Sequence, residues 1–113
     1  MTSIETSENQ KKLILQTHYY KASYEQIRDA YLAILDDLGH NVVSVNDDYV
    51  EIYSEDSHMF VVAKIIEQDK QETSIDFYIQ PDFAGKGRAI KFIEEVLSKI
   101  EAKYEFKGVA LHK

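Results

Sequence analysis

The chain has 113 residues, 20 acidic against 13 basic side chains, a formal net charge of −7 and no cysteine. That length suits one domain with one core, and the missing cysteines exclude a disulfide framework, a thiolate zinc site and a cysteine nucleophile. The acidic balance argues against nucleic acid, whose affinity comes from Lys and Arg on phosphates, and against an anionic lipid surface.

Residues 1–10 have neither a basic nor an apolar run, so they read as a polar, mobile tail rather than a signal peptide. The remainder, 11–113, reads as a single α+β domain. Leu13 to Tyr20 is rich in β-formers and predicts a first strand. Ser23 and Gln26 have the spacing of a capping box, which predicts a helix start. Ile27, Ala30, Tyr31, Ile34, Leu35 and Leu38 then recur on one helical face, and Gly39 stands where a left-handed cap ends the helix.

Val42 to Val45 predicts a short strand, Asn46 to Asp48 a turn, and Tyr49 to Tyr53 the returning strand. Met59 to Glu67 predicts a long strand with Met59, Val61, Ala63 and Ile65 on one side and Phe60, Val62 and Ile66 on the other. Thr73 to Ile79 alternates, with Ile75, Phe77 and Ile79 inward and Ser74 and Asp76 outward. Pro81 ends that strand. A second helix is expected from about Arg88 to Lys103, its apolar face built from Ala89, Ile90, Ile93, Val96, Leu97 and Ile100. Residues 104–113 read either as an edge strand or as an ordered tail packing Tyr104, Phe106, Val109 and Leu111.

The resulting order is β-α-β4-α, an antiparallel sheet with two helices on one face. It resembles helix-grip and TATA-binding-protein-like domains over about residues 12–103. The resemblance is one of element order, so it implies a fold and no function.

Residues 77–90 carry the one stretch with a chemical look. A strand and a proline run into a glycine-rich turn and then a helix, where bare N–H groups and the helix dipole attract anions. Gly85 and Gly87 let a phosphate approach the backbone, and Lys86 and Arg88 add positive charge. The segment resembles the acyl-CoA-binding turn of GNAT acetyltransferases through Pro81, Gly85, Gly87 and Ala89, with Ala84 standing where that family has Gln or Arg. That resemblance implies an acyl-CoA-dependent transferase using Gly85 to Ala89. Glu51, Glu67 and Asp76 are the candidates for its general base. The simpler reading is a plain strand-to-helix connection, which favours the same residue types.

His18, His40, His58 and His112 have no spacing to carboxylates that suggests a metal site. The acid pairs Asp36–Asp37, Asp47–Asp48 and Glu55–Asp56 read as solvated. Eight tyrosines are many for this length. Among them Tyr49, Tyr53 and Tyr78 are placed together on the sheet face away from the core, as a candidate interaction surface. The sequence thus leads to a cytoplasmic, non-enzymatic module that binds an apolar small molecule or a protein partner, with a homodimer as one form. No cofactor and no metal are expected.

Overall fold

The computed structural model describes residues 3–82 and 85–109, apart from the Lys86 side chain. Two helices and seven antiparallel strands form an α+β unit over those residues. In chain order they are β1 (Ile4–Glu5), β2 (His18–Tyr20), α1 (Tyr24–Asp37), β3 (Asn41–Asn46), β4 (Glu51–Glu55), β5 (Met59–Asp69), β6 (Glu72–Pro81), α2 (Lys86–Glu101) and β7 (Phe106–Val109). The sheet runs β3-β4-β5-β6-β2-β7, and β1 also pairs with β6.

The helices form where their signals stand. Ser23 caps α1 as one half of a capping box: its side chain accepts from Gln26 N–H at 3.2 Å, while Gln26 Oε1 accepts from Ser23 N–H at 2.9 Å. Gly39, at φ 76°, provides the left-handed residue after the helix, a conformation a Cβ would disfavour. Both helices lie on one face of the sheet. Ile27, Tyr31 and Leu35 of α1 join Phe92, Ile93 and Ile100 of α2 in a core with Val61, Ile65, Ile75 and Phe77. Phe77 sits between the two layers, 6.0 Å from the Tyr31 ring and 6.2 Å edge-on to Phe92. Inward and outward positions on β5 and β6 follow the alternation in the sequence, and all the inward apolar residues there are buried.

Three elements differ from expectation, and one open alternative is resolved. The expected tail contains β1: Ile4 lies opposite Ile79, Glu5 opposite Tyr78, and Ile4 is buried. Leu13–Leu15, expected as strand, is a single 3-10 turn, closed by Gln16 N–H donating to Leu13 O at 3.1 Å. The strand itself begins at His18, where β2 pairs with β6. Tyr49 lies in the turn that leads into β4, not in the strand. Of the ambiguous end, Phe106–Val109 is a strand beside β2, and residues 110–113, with Leu111 and His112, lie outside the described residues.

Strands β1 and β2 share one edge of β6, one near its end and one near its start. The chain between them leaves the sheet after Thr6 and returns at Thr17. Asp76, on the open face of β6, holds both ends. Its Oδ1 accepts from Thr6 Oγ1 at 2.7 Å and from Thr17 Oγ1 at 2.8 Å. Thr6 Oγ1 also accepts from Phe77 N–H at 2.8 Å, so a side chain completes the ladder where the strand is interrupted.

Candidate functional site: the open sheet face and the β3 edge

Gly85 precedes α2 in an ordinary right-handed conformation. A Cβ at this position would overlap Pro81 Cβ, so glycine is required by the close approach of the two chain segments. Its N–H donates to Asp82 O at 3.0 Å, and among the described residues no side chain caps the first turn of α2. Gly87 is exposed, with nothing within 4 Å of an added Cβ. Strands β5 and β6 stay paired up to Met59 opposite Pro81, so the sheet is continuous beside this turn.

The three candidate bases all hold structural bonds. Glu51 accepts from Tyr53 OH at 2.6 Å, Glu67 accepts from Tyr24 N–H at 2.7 Å, and Asp76 is bound by the two threonines. Burial pushes the Asp76 carboxyl up, and the threonine hydrogen bonds partly offset that.

On the open face, Tyr53 of β4 lies across from Val62 of β5, and Val62 lies across from Tyr78 of β6. Tyr53 and Tyr78 thus share a row, and Tyr53 also stacks on Phe60 at 6.2 Å. Tyr49 stands apart, exposed in its turn. Beside the row, a cleft of about 280 Å³ is lined by Glu5, Glu51, Lys64, Asp76 and Tyr78 among others.

Strand β3 ends the sheet. Among the described residues no strand pairs with its outer side. Its sequence, Asn-Val-Val-Ser-Val-Asn, has no charged residue, and Val42, Val43 and Val45 are 37%, 53% and 41% exposed. Natural sheets blunt such edges with charge, proline or a covering segment, because free N–H and C=O groups template another strand. Among the described residues the one such device is a bulge: the register with β4 shifts between Val42 and Ser44. Uncharged residues and β-branching signal this edge in the sequence, but nothing local says that it would stand last in the sheet.

A second concavity, about 210 Å³, lies between α2, the end of α1 and the β4–β5 turn. The His40 side chain is 3% exposed there; its Nε2 lies 3.3 Å from Asp56 Oδ2, and its ring 4.7 Å from Phe92. His40 Nδ1 has no hydrogen-bond partner among the described residues. Burial lowers the His40 pKa, and Asp56 works against that shift. Arg88 and Lys91 line the same pocket. Next to it, His58 Nδ1 lies 3.1 Å from Asp82 Oδ2. His18 is buried elsewhere, donating from Nδ1 to Gln16 O at 2.7 Å. Among the described residues no three His, Asp or Glu side chains are grouped to hold a metal ion, and no helix is long and apolar enough to cross a membrane.

No protein-family model matches the chain, and no curated protein matches it.

Proposed function

We propose that this chain is a non-enzymatic protein-interaction module that takes an extended strand of its partner along the outer side of β3. The observation that carries this reading is the uncharged, valine-bearing edge with no strand beside it among the described residues. In strand addition, main-chain hydrogen bonds supply affinity and alternate side chains supply selectivity. Val42 and Val45 would serve the second role on the helix side of the sheet. Ser44, with Tyr53 next to it, would do so on the open face. A cytoplasmic setting belongs to the same proposal, supported by the cysteine-free composition. We also propose the helix-grip or TATA-binding-protein-like arrangement as the parent fold. Two helices on one face support it, with β1 and β7 as additions.

The test is affinity capture from extract of the source cells, comparing the wild type with a Val43→Lys/Val45→Lys variant that melts normally. The reading requires specific proteins whose recovery falls at least about tenfold, the equivalent of roughly 1.4 kcal/mol. Identical recoveries with both baits would overturn it.

The pocket at His40 supports a second reading, a small ligand with an apolar body and an anionic head. Leu38, Met59 and Phe92 would take the body, and Arg88 and Lys91 the head, against the opposing charge of Asp56 and Glu95 in the same lining. Thermal-shift titration with fatty acids and with acetyl-CoA separates the cases. A rise with fatty acids that Lys91→Ala removes supports the pocket. A rise confined to acetyl-CoA would support instead the acyl-CoA alternative at Gly85 to Ala89.

A further inference from the structure

We infer that the strand taken up by β3 is β3 of a second copy of this chain, paired antiparallel about a twofold axis passing beside Ser44. This rests on the strand-addition reading and names its partner.

The bulge makes the strand self-complementary. Val42 lies opposite Ser54 and Val45 opposite Ile52; Ser54 and Ile52 are buried on the helix side, so both valines point to that side. Asn41, Ser44 and Asn46 lie opposite Glu55, Tyr53 and Glu51, on the open face. Val43 is the residue left without a partner in the register. With Val43 set aside, the strand reads Asn, Val, Ser, Val, Asn, the same in both directions. Antiparallel pairing that keeps this bulge in both copies places Val42 against the second copy's Val45 on the helix side. It places Ser44 against the second copy's Ser44, and Asn41 against the second copy's Asn46, on the open face. Apart from Val43, each side chain meets one of its own kind on its own side of the sheet. In a heterologous strand nothing guarantees that match.

Charge does not bar this occupant at the edge itself. Two copies of a chain with net charge −7 repel over most of their surfaces. The six residues of β3 have no charge. At its end, Asp47 is held by Tyr24 OH at 2.7 Å and by Arg28 Nη1 at 3.4 Å, which offsets its charge, while Asp48 beside it adds one that a second copy would meet. Pairing would also cover the exposed faces of Val42 and Val45 in both copies, burying apolar surface that the monomer leaves in water.

The absence of native cysteine makes the register directly testable. Directly opposed residues of an antiparallel pair have Cα atoms about 4.5–5.5 Å apart, inside the roughly 4.4–6.8 Å that a disulfide spans. Mild oxidation of Ser44→Cys is expected to give a covalent dimer. A mixture of Val42→Cys and Val45→Cys is expected to cross-link faster than either protein alone. Ser98→Cys, on the exposed side of α2, is the control and is expected to stay monomeric. In sedimentation, the wild type is expected to move from 13.1 kDa toward the dimer mass as concentration rises. Val45→Lys is expected to weaken that association at least about tenfold while melting normally. The inference is overturned if the wild type stays monomeric up to about 1 mM and Ser44→Cys cross-links no faster than Ser98→Cys. Should self-pairing fail while the Val43→Lys/Val45→Lys variant still loses a different protein in capture, the strand-addition reading survives without it. If neither changes, both readings fall.

Discussion

Val42 and Val45 face the same side of the sheet although an odd number of positions separates them. In an unbroken strand an odd offset puts side chains on opposite faces. The shift of register at Val43 restores the match, and both valines reach the helix side at the margin of the core. There neither helix covers them fully, which is why they remain 37% and 41% exposed. A bulge is commonly a means of spoiling an edge. Here it also aligns the edge with itself.

Asp76 tests how the split edge of β6 is held together. Asp76→Ala leaves the Thr6 and Thr17 hydroxyls without their acceptor, and is expected to cost about 1–3 kcal/mol in denaturant unfolding. Asp76→Asn retains an acceptor oxygen and removes the cost of burying a charge, so it is expected to stay within about 1 kcal/mol of wild type.

The same residue has a sign in pH. Its folded pKa is raised by burial above the ordinary 3.8. Between those values the folded state binds more protons than the unfolded state, so this group's contribution falls as pH rises through the folded pKa. Asp76→Asn is expected to flatten that part of the stability profile. An unchanged profile would show that Asp76 is not its source.

His18 and His40 act in the opposite direction. Burial lowers the pKa of both below the ordinary 6.5, with Glu101 near His18 and Asp56 near His40 working against the shift. The unfolded chain then binds protons that the folded chain refuses. Stability from these groups is complete above 6.5 and is lost as pH falls through the folded values. Melting temperatures should decline over that acid range, and a His18→Gln/His40→Gln variant should decline less.

The two glycines of the turn before α2 are expected to separate cleanly. Gly85→Ala drives a methyl group into Pro81, and should cost about 1–3 kcal/mol. Gly87→Ala meets nothing within 4 Å, and should stabilise the helix by roughly 0.5–1 kcal/mol because alanine has less freedom to lose. Thermal unfolding of the two variants checks both. Equal effects would remove the steric account of Gly85.

Much of the fold was legible in the chain because its signals are local. The capping box at Ser23, the helical spacing from Ile27 to Leu35 and the alternation of β5 and β6 all arise within a few residues of each other. What was not legible depends on distant partners. Ile4 and Glu5 form a strand because β6 offers a free edge far along the chain, and no short-range pattern announces that. Leu13–Leu15 has the composition of a strand, yet the chain there is crossing out of the sheet between two anchored threonines. Phe92 joined the core beyond the expected stripe because it fills the space between Phe77 and His40. Of the candidate site, Tyr53 and Tyr78 share one face across Val62, while Tyr49 belongs to a turn. The edge position of β3 and its bulge emerge only from the pairing of the whole sheet.

The most direct measurement of the central claim is amide hydrogen exchange along β3 as a function of protein concentration. Amides on an unpaired edge exchange fast, and those in a strand pair are protected. Protection of those amides of Asn41–Asn46 that point away from β4, rising with concentration while β4 to β6 stay constant, is the predicted result. Rapid exchange of those amides at every concentration, alone and in the presence of captured partners, would contradict the assignment of β3 as the binding edge.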